Sequence, residues 1–315
     1  MISSMERTRE VATPAERRYR DAEAALWAAH GLEPTEHWVE LRDPAARIRV
    51  VEVGSGTPLL LVPGSGGTGP YWAPLASELA QGRRLLMVDR PGWGLSSPVD
   101  YRAAAYPRTA AAVLAGVMDQ LGLEGVDVVG ASVGGNWALD LAHSRPSRVR
   151  RIALLGGILN AEVPTPTFIK LLRSPIGAVI VRLPMKPGIL RKQLEGLGHG
   201  GSVANGAMDG FISWRLAFQR ETHSMRHERD MVRAIVGPDG FRDGTLLEPE
   251  EMAAVRPPVL MLFGTGDPTG TPEVWERFVA RIPGAKLHLV PEAGHMPWWD
   301  RPADVGRQVR EFLAG

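Results

Sequence analysis

Residues 126–143 read VDVVGASVGGNWALDLAH, and the reading of this stretch decides the fold. The run 126–129 is short, apolar and rich in valine, as suits a strand buried on both faces. Asn136 to His143 continues in helix-compatible composition. Between them, Gly130, Ser132 and Gly134 form the pattern G-x-S-x-G. A sharp strand-to-helix turn holds the central serine in a strained backbone conformation, so its close neighbours must lack side chains. The serine then stands at a helix N-terminus, where backbone N–H groups and the helix dipole favour a developing oxyanion. Ser132 is therefore the candidate nucleophile.

Working outward, strand-like runs recur at 47–53, 59–62, 85–88, 152–155, 259–263 and 287–290. Helical stretches at 73–80, 108–121 and 136–143 separate them. This alternation predicts an α/β fold with a mostly parallel central sheet flanked by helices. The interval 158–249 has no clear strand and is punctuated by Pro164, Pro166, Pro175, Pro184 and Pro187. An insertion of that length in a compact domain is a subdomain rather than a plain loop, and a helical cap is expected there. Residues 1–13 read as a frayed arm and 14–30 as a helix closed by Gly31. The organisation expected is an N-terminal arm and helix (1–46), a first core part (47–157), the cap (158–249) and a second core part (250–315).

Composition narrows the chemistry. Hydrophobic residues are 44% and charged residues 23% of 315, which argues against a largely disordered chain. The formal net charge of +1 supplies no global field for nucleic acid or an anionic membrane. Cysteine is absent, which excludes thiol nucleophiles, disulfides, cysteine-ligated zinc and iron–sulfur clusters. No apolar run is long enough to span a bilayer. The opening MISSMERTRE carries charges where a signal peptide needs an apolar core, so a cytoplasmic location is expected.

A serine hydroxyl needs a base. His295 follows the last strand-like run and can face the same sheet edge as Ser132. Asp267, directly after the run 259–263, is the candidate orienting acid, with Glu162 as second choice. The order Ser, Asp, His is the one this scaffold uses. His223 and His227 lie four apart but lack the intervening glutamate of a zinc protease motif, so no metal is expected. Arg90 and Arg215 are candidates for a substrate carboxylate, against the commoner reading of salt bridging.

Four ordered blocks carry a family resemblance: Val62–Gly67, Asp89–Ser96, the Ser132 turn, and His295–Pro302 with its sequence HMPWWDRP. Over about 47–315 the sequence resembles the α/β-hydrolase fold, in the capped branch of esterases, haloalkane dehalogenases, epoxide hydrolases and carbon–carbon bond hydrolases. The resemblance implies an oxyanion hole from the N–H groups of Ser65 and Val133. It departs from the family at Pro63-Gly64, where a His-Gly pair is usual. Dehalogenases and epoxide hydrolases use an aspartate nucleophile, so Ser132 points to attack on a carbonyl. The expected activity is that of a cofactor-independent serine hydrolase acting on an ester, lactone or related acyl bond of a small, largely apolar molecule. A carbon–carbon bond hydrolase, lyase or cyclase, or a ligand receptor retaining the triad, is the alternative. The glycine-rich stretch 64–69 is similar to that of the carbon–carbon bond hydrolases. Pocket walls are expected from Trp72, Trp93 and Met296, and, in the cap, from Phe168, Met185, Phe211 and Trp214. Leu171, Ile176 and Leu183 are further candidates of the cap. The partner expected is a small substrate, bound by a monomer or homodimer.

Overall fold

The protein is described by a computed structural model over residues 12–102 and 105–315. The expected arm 1–13 therefore lies almost wholly outside the described residues.

The sheet grows from its apolar centre. β3 (Thr57–Val62), β4 (Arg83–Val88), β5 (Val126–Ala131), β6 (Val149–Leu155) and β7 (Val259–Gly264) pair in parallel, and β8 (Lys286–Val290) extends the run. Every residue of β5 and β7 is buried; β7 is uninterruptedly apolar, and the one charged residue of β5, Asp127, pairs with Arg83 at 2.7 Å. β2 (Ala45–Val53) joins β4 antiparallel and carries β1 (Thr35–Arg42) on its outer side. The order is β1-β2-β4-β3-β5-β6-β7-β8, a mostly parallel sheet of eight strands. Helices flank it, with α3 (Tyr106–Gln120) packed on α4 (Val133–Ser144) and α2 (Ala73–Leu79) on α14 (Pro302–Ala314).

β1 corrects the expected N-terminal unit. Residues 35–42 belong to the sheet, not to an appendage. The strand lies at the edge, and its sequence TEHWVELR breaks its apolar residues up with polar ones, with only Val39 buried. An edge strand solvated on one side lacks the continuous apolar run that marks the central strands.

The helical cap follows β6. It contains α5 (Thr167–Arg173), α6 (Gly177–Ile180), α7 (Pro187–Leu194), α8 (Gly200–Ala204), α9 (Asp209–Glu221) and α10 (Ser224–Ile235). Between α7 and α8, Glu195–His199 forms a wide turn kinked at Gly198.

The N-terminal helix α1 (Pro14–Ala29) starts where Thr13 Oγ1 accepts the N–H of Glu16. It packs on cap helix α9 and on the loop after β3. Beneath it, Arg49 is enclosed by Glu23, Glu36 and Asp89. An unpaired cation there would be costly, so these carboxylates are required for α1 to seat.

Candidate active site

Ser132 occupies the turn between β5 and α4 with φ 50° and ψ −128°. A non-glycine residue in that region stores about 1–3 kcal/mol. The neighbours explain how it is tolerated. A Cβ on Gly130 would sit 2.6 Å from the carbonyl oxygen of Gly134, and one on Gly134 would sit 2.1 Å from that of Val62. Only glycine lets β3, β5 and α4 approach this closely.

His295 and Asp267 reach the same edge from the loops after β8 and β7. Asp267 Oδ2 accepts from His295 Nδ1 at 2.9 Å and from the Gly157 N–H at 2.9 Å. Its Oδ1 accepts from the Thr269 N–H at 2.9 Å and the Thr269 hydroxyl at 2.7 Å. Burial alone would raise the carboxyl pKa, but the charge of His295 and these donors hold it below the usual carboxylate range. The ionised acid fixes the tautomer: Nδ1 carries the proton, and Nε2 is left as the acceptor. Burial opposes the imidazolium, yet the charge and hydrogen bond of Asp267 outweigh it and raise the His295 pKa above its ordinary value.

Ser132, Val133, Ser65 and His295 all line one cavity of about 490 Å³. Among the described residues Ser132 Oγ makes no hydrogen bond with His295, and the N–H groups of Ser65 and Val133 donate to no backbone carbonyl outside regular elements. Catalytic hydrogen bonds often tighten only with substrate in place.

Pro63 replaces the usual histidine without loosening its loop, because other groups hold it. Arg90 donates to the Gly64 carbonyl at 3.0 Å, Gly69 N–H donates to Asp89 at 2.9 Å, and the Tyr19 and Thr68 hydroxyls share a bond of 2.9 Å. Arg90 is itself fully buried, with its guanidinium 4.1 Å from the Trp93 ring centre. It braces this loop and is not a wall of the cavity.

Arg215 of α9 is the cationic wall. It is buried deeply enough to push its pKa down to about 10. No carboxylate pairs with it among the described residues, and its Nη1 has no hydrogen-bond partner. Its contacts are the Met225 sulfur at 3.9 Å and the Phe218 ring at 4.7 Å. Gly66, at φ 68°, leaves room for it: a Cβ there would meet Nη2 at 2.1 Å. Glu228 also borders the cavity, and accepts from Trp93 at 2.9 Å.

Phe168, Phe211 and Met296 line the cavity. Trp72, Trp93, Met185 and Trp214 do not. Trp72 stacks on Trp298 at 4.9 Å, Trp93 packs under Arg90, and Trp214 is sealed between Phe211 and Phe218. Met185 is half-buried against the hydrophobic core. Leu171, Ile176 and Leu183 turn outward to solvent. Glu162, the second-choice acid, pairs with Arg277 and Arg281 and is remote from His295 in the hydrogen-bond network.

A second histidine, His199 in the glycine-rich stretch LGHGGSVANG at 197–206, supports the first. His199 is fully buried. Its Nδ1 pairs with Asp300 at 2.7 Å and its Nε2 accepts the Met296 N–H at 3.1 Å. Asp300 also accepts the Gly294 N–H, and the Leu197 carbonyl accepts the His295 N–H at 2.9 Å. The cap thus grips both sides of the loop that carries the candidate base. Asp300 lies in the block HMPWWDRP; its partner, 101 residues away, carried no local signal.

A model of the alpha/beta hydrolase family matches residues 59–308, most of the chain. The chain belongs to the alpha/beta hydrolase family. Within it, the chain is 29% identical over 282 residues to a 2-hydroxy-6-oxononadienedioate/2-hydroxy-6-oxononatrienedioate hydrolase of Cupriavidus pinatubonensis, covering 86% of this chain and 92% of that one. A Pseudomonas putida protein of the same name is 29% identical over 288 residues, covering 88% and 91%. Among solved structures, a 2-hydroxy-6-oxo-6-phenylhexa-2,4-dienoate hydrolase of Rhodococcus superposes with a TM-score of 0.72 at 17% identity, covering 90% of this chain and all of that one. An esterase of Thermogutta terrifontis gives 0.69 at 21%, covering 90% and 98%. Both structural likenesses speak to the fold. The protein is a hydrolase with the α/β-hydrolase fold, and no helix among the described residues is long and apolar enough to cross a membrane.

Proposed function

We propose that this hydrolase cleaves a carbon–carbon bond beside a ketone in a substrate that also bears a carboxylate. The observation carrying the proposal is Arg215. A half-buried guanidinium whose Nη1 is itself buried without a hydrogen-bond partner, in a cavity otherwise walled mainly by apolar side chains, calls for an anion. Glu228 borders the cavity and acts on Arg215 through its charge, but it forms no ion pair with Arg215 among the described residues and accepts from Trp93 instead. The curated relatives support the same choice, since the compound in their names is a 2-hydroxy-6-oxo dioate.

In this reading Arg215 anchors the carboxylate and sets the ketone over Ser132. Ser132 Oγ attacks the carbonyl carbon as His295 Nε2 takes its proton. The N–H groups of Val133 and Ser65 receive the oxyanion. Before the bond breaks, the 2-hydroxydiene tautomerises to its 2-oxo form, its hydroxyl proton moving to the carbon beside the ketone; collapse then expels that carbon as a dienolate conjugated with the 2-oxo group, which His295 protonates. Water, deprotonated by His295, then releases the acid from Ser132. Asp267 holds the imidazole tautomer and steadies its cation. The same acyl-enzyme path serves an ester or lactone, so the expected esterase activity differs only in the leaving group.

The test is a comparison of substrates with a mutation. A 2-hydroxy-6-oxo-dienoate, followed by loss of its absorbance and by oxygen-18 uptake from water into the product acid, is expected to turn over with higher kcat/KM than neutral aryl esters. Arg215→Met removes a charge-assisted bond of about 1.5–3 kcal/mol, so KM for the acid rises roughly ten- to hundredfold while neutral esters are little affected. Preference for neutral esters, with Arg215→Met indifferent to substrate charge, overturns the reading in favour of an esterase.

A further inference from the structure

The net charge of +1 conceals a local asymmetry. Residues 163–194 contain Lys170, Arg173, Arg182, Lys186, Arg191 and Lys192 and no acidic residue, while the other 283 residues carry 30 Lys+Arg against 35 Asp+Glu. The same segment holds Phe168, Leu171, Ile176, Val179, Leu183 and Ile189, which are all of the exposed large hydrophobic residues among those described. They span α5, α6 and the start of α7. Lys170, Arg182, Lys186 and Lys192 are exposed, and among the described residues none of them pairs with a carboxylate. Arg191 pairs with Asp209. α5 and α6, which carry three of these residues, pack against each other, and exposed apolar surface concentrated in this way marks an interaction site.

We propose that this face of the cap docks on the surface of an anionic lipid bilayer. The charge selects the partner. Apolar side chains between flexible basic ones suit the headgroup–acyl boundary, where the basic heads reach lipid phosphates and the apolar tips enter below them. A symmetric contact with a second copy would set this acid-free, basic segment against itself, which like-charge repulsion opposes. The placement also serves the cavity. Phe168 is 42% exposed and lines it, so the docking face reaches the candidate active site at its rim. A ligand held in the bilayer enters without crossing water. This inference rests on the cap surface and stands whether or not the proposed reaction is correct.

The experiment is co-sedimentation with sucrose-loaded vesicles of phosphatidylcholine alone or mixed with a third phosphatidylglycerol. The full chain is expected to pellet with the mixed vesicles, to stay largely soluble with phosphatidylcholine, and to be released by salt. Neutralising Lys170→Gln, Arg182→Gln and Lys186→Gln together weakens binding by roughly fivefold per residue. The triple variant Ile176→Ser, Val179→Ser, Leu183→Ser weakens it at unchanged charge. Ser132→Ala binds as the parent does, which separates docking from catalysis. Circular dichroism of the surface variants checks that they fold. Absence of pelleting with anionic vesicles, equal pelleting with neutral ones, or indifference to both triple variants overturns the proposal. So does a dimer in light scattering that the serine variant disperses, because a second copy then covers the face.

Discussion

The core wall and the cap wall of the cavity are built differently. On the core side, Gly130 and Gly134 on either side of Ser132 approach neighbouring backbone too closely for a Cβ, and Asp267 has all its bonds filled. On the cap side, short helices contribute apolar side chains, several half in solvent, and one cation without a partner. Geometry is over-determined around the candidate triad and under-determined on the cap wall that faces it. This division lets one sheet edge keep its chemistry while the insertion alters what it accepts.

Three changes sharpen or break this contrast, in falling order of effect. Ser132→Ala removes the candidate nucleophile with almost no change in volume at a turn already strained. Turnover is expected to fall by roughly 10³-fold or more, with an unchanged melting temperature and loss of fluorophosphonate labelling. Near-normal turnover of the purified variant means the rigid wall is not where the reaction occurs.

Asp267→Asn is next. The acid raises the His295 pKa above its ordinary value, and the base must be neutral to act. The parent kcat/KM therefore falls as pH drops through a single ionisation lying above about 6.5. The amide takes away the charge while burial remains, so the acid limb of the residual activity moves below that value, alongside a rate loss of roughly 10²–10⁴. A limb that stays in place assigns the titration to another group.

The smallest effect tests the exception, His199, a cap residue held as tightly as the core. His199→Leu frees the Met296 N–H and the second face of Asp300. kcat is expected to fall about tenfold, as the loop bearing His295 loses its hold, with KM nearly unchanged. His199→Gln, which can still accept from Met296, restores part of it. Equal changes in kcat and KM place His199 with the ligand-choosing wall instead.

Legibility in the sequence follows the same division. Strands β2 to β8, the Ser132 turn and the order of Asp267 and His295 are readable because they rest on runs and glycines within a few residues. β1 is not, because one solvated face interrupts its apolar pattern. Neither is the His199–Asp300 pair, whose meaning exists only across 101 residues. The cap holds more apolar residues than the cavity needs. Composition alone cannot tell Phe211, which faces the cavity, from Leu183, which faces out. Arg215 is readable as a candidate, but its missing partner is a property of the folded state.

Helix α1 carries a consequence for synthesis. It leaves the ribosome ahead of every other described helix, yet its seat is assembled late. Tyr19 meets Thr68, Arg49 requires Asp89 as well as Glu23, and Arg18 pairs with Glu221. Some two hundred residues must follow before α9 exists to receive it. Until then Leu26, which packs beside Gly210 of α9 and is buried in the finished protein, lacks that cover. The earliest helix made is thus among the last to dock, and its arrival ties the loop bearing Ser65 to the cap in one step.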